Sequence, residues 1–299
     1  MNKKIKIIIS SCACVFAIAI PFLGFSSRQS SQSNKYADWM ASLDDNTTIR
    51  EVNMPGSHDT TAFHSIANLS GQCQSLSLND QLNLGVRFLD IRLVEDNKNL
   101  KAMHGFIDQN QSFSSISKTI ESFIKKHPKE FLIMSIKEEV DPQDASLTFE
   151  ETLKPYLNSD IYLKDTSLPE KVGDVRGKII LLSRYKNSTI GIPAYEGWTD
   201  SDSFILPNDI YVQDTYKIIS KEQKEEEIVK CFNEAGHALK INFLSAYRTD
   251  QFPPSYSISA AKDINPWINK EIGKYQDRGI VLYDFINEDN MNHFFEGIL

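Results

Sequence analysis

Six histidines are spread over the 299 residues, and two of them, His58 and His104, stand where proton chemistry is possible. The other four have structural explanations. His127 and His237 close helix-like segments, where a cation is favoured, His293 lies in a last helix, and His64 sits in a helix-like stretch. His58 instead follows the turn Pro55-Gly56-Ser57, next to Asp59, at the end of an apolar segment, and His104 ends another. An imidazole, with an unperturbed pKa of about 6.5, can take or give a proton near neutral pH. Charged groups recur at similar places: Asp90 and Arg92 late in one apolar segment, Lys137 and Arg184 closing two more, Asp214 and Asp284 just beyond others. Taken singly, each has a plain reading. Asp90 and Arg92 suit a rim salt bridge, Lys137 joins Glu138 and Glu139 in a solvated cluster, and Arg184 with Tyr185 and Lys186 suits a surface. Together they suggest proton transfer beside fixed positive charge.

Positioning them falls to short apolar strands at 49–54, 86–93, 101–103, 131–136, 179–182, 210–212, 241–244 and 280–283. Segments of 3.6-residue periodicity lie between several of them. Residues 116–126 place Ile116, Ile120, Phe123 and Ile124 on one face, 222–235 group Ile228, Val229 and Phe232, and 267–275 form a third segment. Strands alternating with amphipathic helices indicate βαβ units and a mainly parallel sheet. Eight candidates in about 250 residues fit one α/β domain, a distorted or incomplete TIM-type (βα) barrel. In such a barrel the C-terminal strand ends share one face, which is where barrel active sites lie. His58, Arg92, His104, Lys137, Arg184, Asp214 and Asp284 would meet there.

The run Met54-Pro55-Gly56-Ser57-His58-Asp59 resembles the start of the catalytic X region of phosphatidylinositol-specific phospholipases C. Asp90-Ile91-Arg92, His104-Gly105, Ser135-Ile136-Lys137, the stretch 176–182, Val212-Gln213-Asp214-Thr215-Tyr216 and the stretch 279–284 follow in that family's order and spacing. The resemblance implies cleavage of phosphatidylinositol to diacylglycerol and inositol 1,2-cyclic phosphate, with slower hydrolysis of the cyclic ester. It makes His58 the base on the inositol 2-hydroxyl and His104 the acid toward diacylglycerol. Asp284 then fixes the His58 tautomer, Asp59 supports His104, and Asp90 orients Arg92. Such a reaction needs a base, an acid roughly in line across phosphorus, and positive charge on the equatorial oxygens. Lys137, Arg184 and Asp214 resemble the family's hydroxyl-binding set, and Tyr216 would pack on the inositol ring.

Calcium-dependent relatives carry acidic ligands at the positions of Arg92 and Lys137. Calcium takes about six to eight oxygen ligands, and a fixed guanidinium repels it while offering a planar fork to phosphate oxygens. The expectation is therefore no metal and no cofactor. A glycerophosphodiester phosphodiesterase, also a barrel with paired histidines, should gather metal-ligand carboxylates near the first histidine, and Arg92 and Lys137 argue against it. A secreted lipid- or glycan-binding protein without catalysis is the rival from another class, and the presence of His58, Arg92 and His104 speaks against that.

Composition bounds the rest. Hydrophobic residues make up 41% and charged residues 24% of the chain, as in ordinary globular proteins. Lys3, Lys4 and Lys6 precede an apolar run from residue 7 to 25, which reads as a signal peptide over 1–26, with a linker at 27–35 and a catalytic domain at 36–299. The protein would then be secreted, the alternative being an uncleaved membrane anchor. Cleavage lowers the formal charge by three, from −8 to −11, so no net field draws the protein to nucleic acid or anionic lipid. Contact with membrane phosphatidylinositol should then be peripheral and apolar, through Phe252 and Tyr256 with help from Phe63 and Ile66. Glycosyl-phosphatidylinositol anchors are a further possible substrate, and a monomer is expected. Cys73 and Cys231 are either one disulfide or two buried thiols.

Overall fold

The computed structural model describes residues 34–66, 71–140, 147–233, 236, 238–250 and 257–299. The expected leader, most of the linker, His237, Phe252 and Tyr256 lie outside the described residues. The first strands are β1 (Met54–Ser57), β2 (Phe88–Asp96), β3 (Asn99–His104), β4 (Ile107–Ser112) and β5 (Leu132–Glu138). Next come β6 (Tyr162–Leu163), β7 (Ile179–Arg184), β8 (Ile192–Pro193), β9 (Ser203–Leu206) and β10 (Ile210–Gln213). The last are β11 (Lys217–Ile218), β12 (Leu239–Phe243), β13 (Tyr247–Arg248) and β14 (Ile280–Tyr283). The helices are α1 (Leu78–Asn83), α2 (Phe113–Lys126), α3 (Phe149–Leu153), α4 (Val172–Val175), α5 (Lys221–Asn233), α6 (Ser257–Glu271) and α7 (Glu288–Phe295).

One sheet orders its strands β6-β7-β5-β2-β1-β14-β12-β10-β9, and every neighbouring pair is parallel except β10–β9. Among the described residues no ladder joins β9 back to β6, so the sheet curls into an incomplete barrel. The central strands are buried on both faces, which is why β5, β7 and β14 read as unbroken apolar runs and not as alternation. Outside them, α2 starts where Ser112 accepts the Ser115 N–H, and it buries Phe113, Ile116, Ile120, Phe123 and Ile124.

β1 is a tight central strand. A Cβ on Gly56 would stand 2.9 Å from the Phe88 Cβ and 3.0 Å from the Leu282 Cγ, so only glycine lets β2 and β14 close on it. Pro55 has no ladder donor, which is tolerated because pairing with β2 begins only at Gly56–Phe88.

Three expectations change. The segment 49–54 is mostly not a strand: Ile49–Glu51 is a 3-10 turn whose start is capped reciprocally by Thr48 and Glu51, so its backbone groups are met locally. Residue 64 is not helical. The segment 101–103 is a strand, but it is the antiparallel partner of β2 and not a barrel strand. Cys73 and Cys231 are both buried and are not joined in a disulfide.

Candidate active site

The turn after β1 sends two adjacent side chains in different directions. Asp59 adopts a left-handed φ of 38°, a conformation Asp tolerates better than most residues. The turn is pinned where the Asp59 N–H donates to Asp90 Oδ2 (3.1 Å) and the Thr60 N–H to the Asp90 carbonyl (2.8 Å). His58 then meets the last strand, its Nδ1 2.7 Å from Asp284 Oδ1. Gln74, fully buried, holds these ends together by donating to the carbonyls of His58 and Tyr283, both at 2.8 Å.

β2 supplies the charge. Arg92 donates to Asp90 Oδ2 from Nε (3.1 Å) and Nη2 (2.9 Å), and its Nη2 also lies 2.7 Å from His58 Nε2. Arg184, at the end of β7, donates to the other Asp90 oxygen at 3.1 Å. Burial works to raise the Asp90 pKa, but Arg92 and Arg184 hold it far below the usual carboxylate range. His58 feels burial and Arg92 against its charged form, yet Asp284 and Asp90 outweigh them and hold it above an ordinary histidine.

His104 arrives by another route. β3 runs antiparallel to β2 and descends toward the mouth, ending two residues past the Leu93–Ala102 pair. His104 Nδ1 stands 2.9 Å from Asp59 Oδ2, and Arg92 Nε lies 3.8 Å from that same oxygen. Glu139, just beyond β5, braces this side: it accepts the Gly105 N–H (2.9 Å) and contacts Lys137 Nζ (2.6 Å). Against the opposing effect of burial, Arg92 and Lys137 bring the Glu139 carboxyl down to about 2. Burial and Arg92 lower Lys137.

The far wall is built from loops. Trp198 donates to Asp214 at 3.0 Å, and the Arg184 guanidinium lies 3.5 Å from the Trp198 ring centroid. Tyr216 donates to Asp200 at 2.5 Å. His58, Arg92, His104, Lys137, Arg184, Asp214 and Tyr216 all line one cavity of about 420 Å³. Asp59, Asp90 and Asp284 lie under its surface as supports. Sequence reasoning missed Glu139, Trp198, Asp200 and Gln74. Glu139 reads in the sequence as part of a solvated charge cluster with Lys137 and Glu138, and the other three carry no local motif.

Of the apolar rim candidates, Phe63 is half-buried and Ile66 is 59% exposed. A stronger one is Phe106, 90% exposed in the two-residue turn between β3 and β4, two positions after His104. Its only sequence signal was an aromatic residue following His104-Gly105.

This arrangement can move protons beside an anion. The two histidines face one cavity, each touched by a buried carboxylate, and three fixed cations surround the space between them. A partial barrel with that equipment is of the acid–base phosphodiesterase class.

Known proteins narrow the class. A sequence model described as phosphatidylinositol-specific phospholipase C, X domain, matches residues 52–185. The chain is 33% identical over 264 residues to a 1-phosphatidylinositol phosphodiesterase of Listeria monocytogenes, covering 83% of this chain and 80% of the relative. It is 27% identical over 273 residues to a Staphylococcus aureus protein of the same name, covering 81% and 85%. Among solved structures, the Listeria monocytogenes phosphatidylinositol-specific phospholipase C superposes with a TM-score of 0.72 at 26% identity, covering 88% of this chain and 99% of that one. A Staphylococcus aureus structure superposes at 0.76 with 22% identity, covering 88% and 98%, and shares the fold. The chain belongs to the phosphatidylinositol-specific phospholipase C family.

Proposed function

We propose that this enzyme cleaves phosphatidylinositol by attack of the inositol 2-hydroxyl on phosphorus, with Arg92 in the place a metal holds in calcium-dependent relatives. The observation that carries the reading is the 2.7 Å approach of Arg92 Nη2 to His58 Nε2. A guanidinium only donates hydrogen bonds, so His58 Nε2 presents its lone pair and Nδ1 carries the proton, donated to Asp284. That tautomer can accept a hydroxyl proton. The incoming 2-hydroxyl displaces the arginine N–H, which turns to a phosphate oxygen. A new bond forms from the 2-oxygen to phosphorus and the proton passes to His58. The imidazolium is favoured by Asp284 and Asp90, as the raised pKa of His58 reflects.

His104 gives its proton to the diacylglycerol oxygen as the old phosphorus–oxygen bond breaks. Asp59, 2.9 Å from its Nδ1, orients the ring for this. Water opens the cyclic ester more slowly with the two histidines exchanging roles. Lys137, Arg184 and Asp214 would bind ring hydroxyls and Tyr216 the ring face. A substrate without those hydroxyls leaves these charges unpaired, which favours inositol lipids over choline and ethanolamine lipids.

Phosphorus NMR on phosphatidylinositol vesicles in EDTA tests the reading. The expected result is a cyclic inositol phosphate signal followed by slow hydrolysis. No cyclic product, or activity that chelation removes and calcium restores, would refute it.

The proposal extends to place and partners. No helix of the described residues is long and apolar enough to cross a membrane. The leader reading favours export, and the protein is proposed as a monomer that touches bilayers peripherally through Phe106, Ile66 and Phe63 near the mouth, and through Phe252 and Tyr256. Glycosyl-phosphatidylinositol anchors carry the same headgroup linkage and are proposed as second substrates. Gel filtration, analysis of culture medium and release of an anchored protein from cells check these three points.

A further inference from the structure

We propose that Asp59, Cys73 and His104 form a zinc-binding site inside the catalytic mouth, and that zinc bound there switches the enzyme off. Cys73 has no part in the reaction described above, yet its Sγ lies 3.5 Å from His104 Nδ1. One donor atom from each of Asp59, Cys73 and His104 falls within 4.8 Å of the other two. Asp59 is 1% exposed, and neither of its carboxylate oxygens has a hydrogen-bond partner. Its near neighbours are ion-pair contacts without hydrogen-bond alignment, 2.9 Å to His104 and 3.8 Å to Arg92.

The donor set selects the ion. One thiolate, one imidazole and one carboxylate suit zinc, while calcium wants an all-oxygen shell. Zinc bonds of about 2.3 Å to sulfur and 2.0–2.1 Å to nitrogen, at a tetrahedral angle, put those two atoms about 3.5 Å apart. The sulfur–nitrogen separation already has that value, and the oxygen must retreat from the nitrogen by roughly 0.5 Å. The thiol is also held in place. The N–H groups of Cys73 and Gln74 both donate to the Ala62 carbonyl, and the Cys73 carbonyl accepts the Phe285 N–H at 2.7 Å. Cys73 is therefore fastened to the segments that follow both β1 and β14. It also lies within ligand reach of His58 and Asp284, but those two are bonded to each other and Arg92 covers the second His58 nitrogen.

Electrostatics both oppose and permit the ion. Arg92 repels a dication, but Asp59, Asp90, Glu139, Asp214 and Asp284 outnumber Arg92, Lys137 and Arg184 around the site. Burial, Asp284 and Asp59 push the Cys73 thiol well up, so without metal it stays protonated and unreactive. Zinc forms the sulfur–zinc bond and releases that proton to solvent. It also takes the lone pair of His104 Nδ1, so the ring can no longer become an imidazolium. The acid for the leaving oxygen is lost, and Asp59 is diverted from it.

Inhibition rests on His104 being the acid; binding does not. The full chain with Cys12→Ser and Cys14→Ser is titrated with cobalt(II) for a thiolate-to-cobalt absorption band, and with zinc for phosphatidylinositol turnover relative to each variant's metal-free rate. The band should appear, persist in Cys231→Ser, and vanish in Cys73→Ser and Cys73→Ala, two variants that differ in how they fill the buried site. Zinc sensitivity should fall in both by more than about tenfold, since even losses outside the ligand shell cost about 10–100-fold in affinity. No band, or a band that survives loss of Cys73, overturns the site. Equal zinc sensitivity with and without Cys73 overturns the switch. A Cys73-dependent band with unchanged turnover overturns the switch and His104 as acid, while leaving measured phospholipase activity intact.

Discussion

Two arginines, one just before β2 and one at its middle, have opposite surroundings. Arg87, just before the strand, is fully buried and all its reach is used: Glu130 at 2.8 Å, the carbonyls of Leu82 and Val86 at 2.8 Å, and that of Ala37 at 2.6 Å. Burial pushes Arg87 down and Glu130 up, so the pair only offsets the cost of leaving water. Arg92, five residues on, is 13% exposed. Its pKa is raised, because Asp90, Asp59 and Glu139 outweigh burial. One of its donors is aimed at a histidine lone pair that a substrate would claim. The same side chain locks the closed end of the barrel and arms the open end. What separates them is whether the donors are already spent on permanent acceptors.

If only the open end does chemistry, His58→Ala and His104→Ala should each lose about 10²–10⁴-fold in kcat on phosphatidylinositol vesicles, the usual contribution of a general acid or base. Thermal unfolding of both should stay near that of the parent. A folded variant with near-normal turnover would remove the assignment. The closed end should behave in reverse. Arg87→Ala leaves Glu130 buried without its partner and is expected to cost about 3–5 kcal/mol in urea unfolding, with turnover per folded molecule unchanged. Replacing both, Arg87→Met with Glu130→Leu, should return much of that stability. A catalytic defect in folded Arg87→Ala would break the division between the two ends.

A smaller effect tests how His58 is tuned. Its pKa is raised in the fold, and the base must be neutral, so the acid limb of the kcat/KM profile should lie above the usual histidine value of about 6.5. Asp284→Asn removes the largest influence raising that pKa, so the limb should move to lower pH while the plateau falls. An unmoved limb would mean that another group titrates there. The smallest effect belongs to the rim. Burying a large apolar side chain is worth about 1.5–3 kcal/mol, so Phe106→Ser should weaken vesicle turnover by roughly tenfold. Soluble cyclic phosphate hydrolysis should not change. Equal loss on both substrates would place Phe106 in the protein's own packing.

Much of the frame was legible because buried parallel strands write long apolar runs. The candidate at 280–283 coincides with β14, and 131–136 and 179–182 fall within one residue of β5 and β7 at their starts. The short elements were not legible. β6, β8, β11 and β13 have two residues each, too few for a period, and β4 is polar almost throughout. Pro266 hides most of α6: the periodicity predicts a helical segment only from 267, whereas α6 spans Ser257–Glu271 and runs through the proline.

The types of the candidate site groups were determined by the sequence alone. His58, Arg92, His104 and Asp284 sit next to strand-forming runs, and a side chain at a strand's end needs little more than the strand to place it. The fold decided how they meet. His104 reaches Asp59 only because an antiparallel hairpin bends down over the mouth, and that depends on pairing with β2, not on any local pattern. Glu139, Trp198 and Cys73 enter the site through contacts with residues 34, 16 and 31 positions away, at Gly105, Asp214 and His104. A sequence records what each residue can do chemically, but long-range packing sets which donors remain unspent.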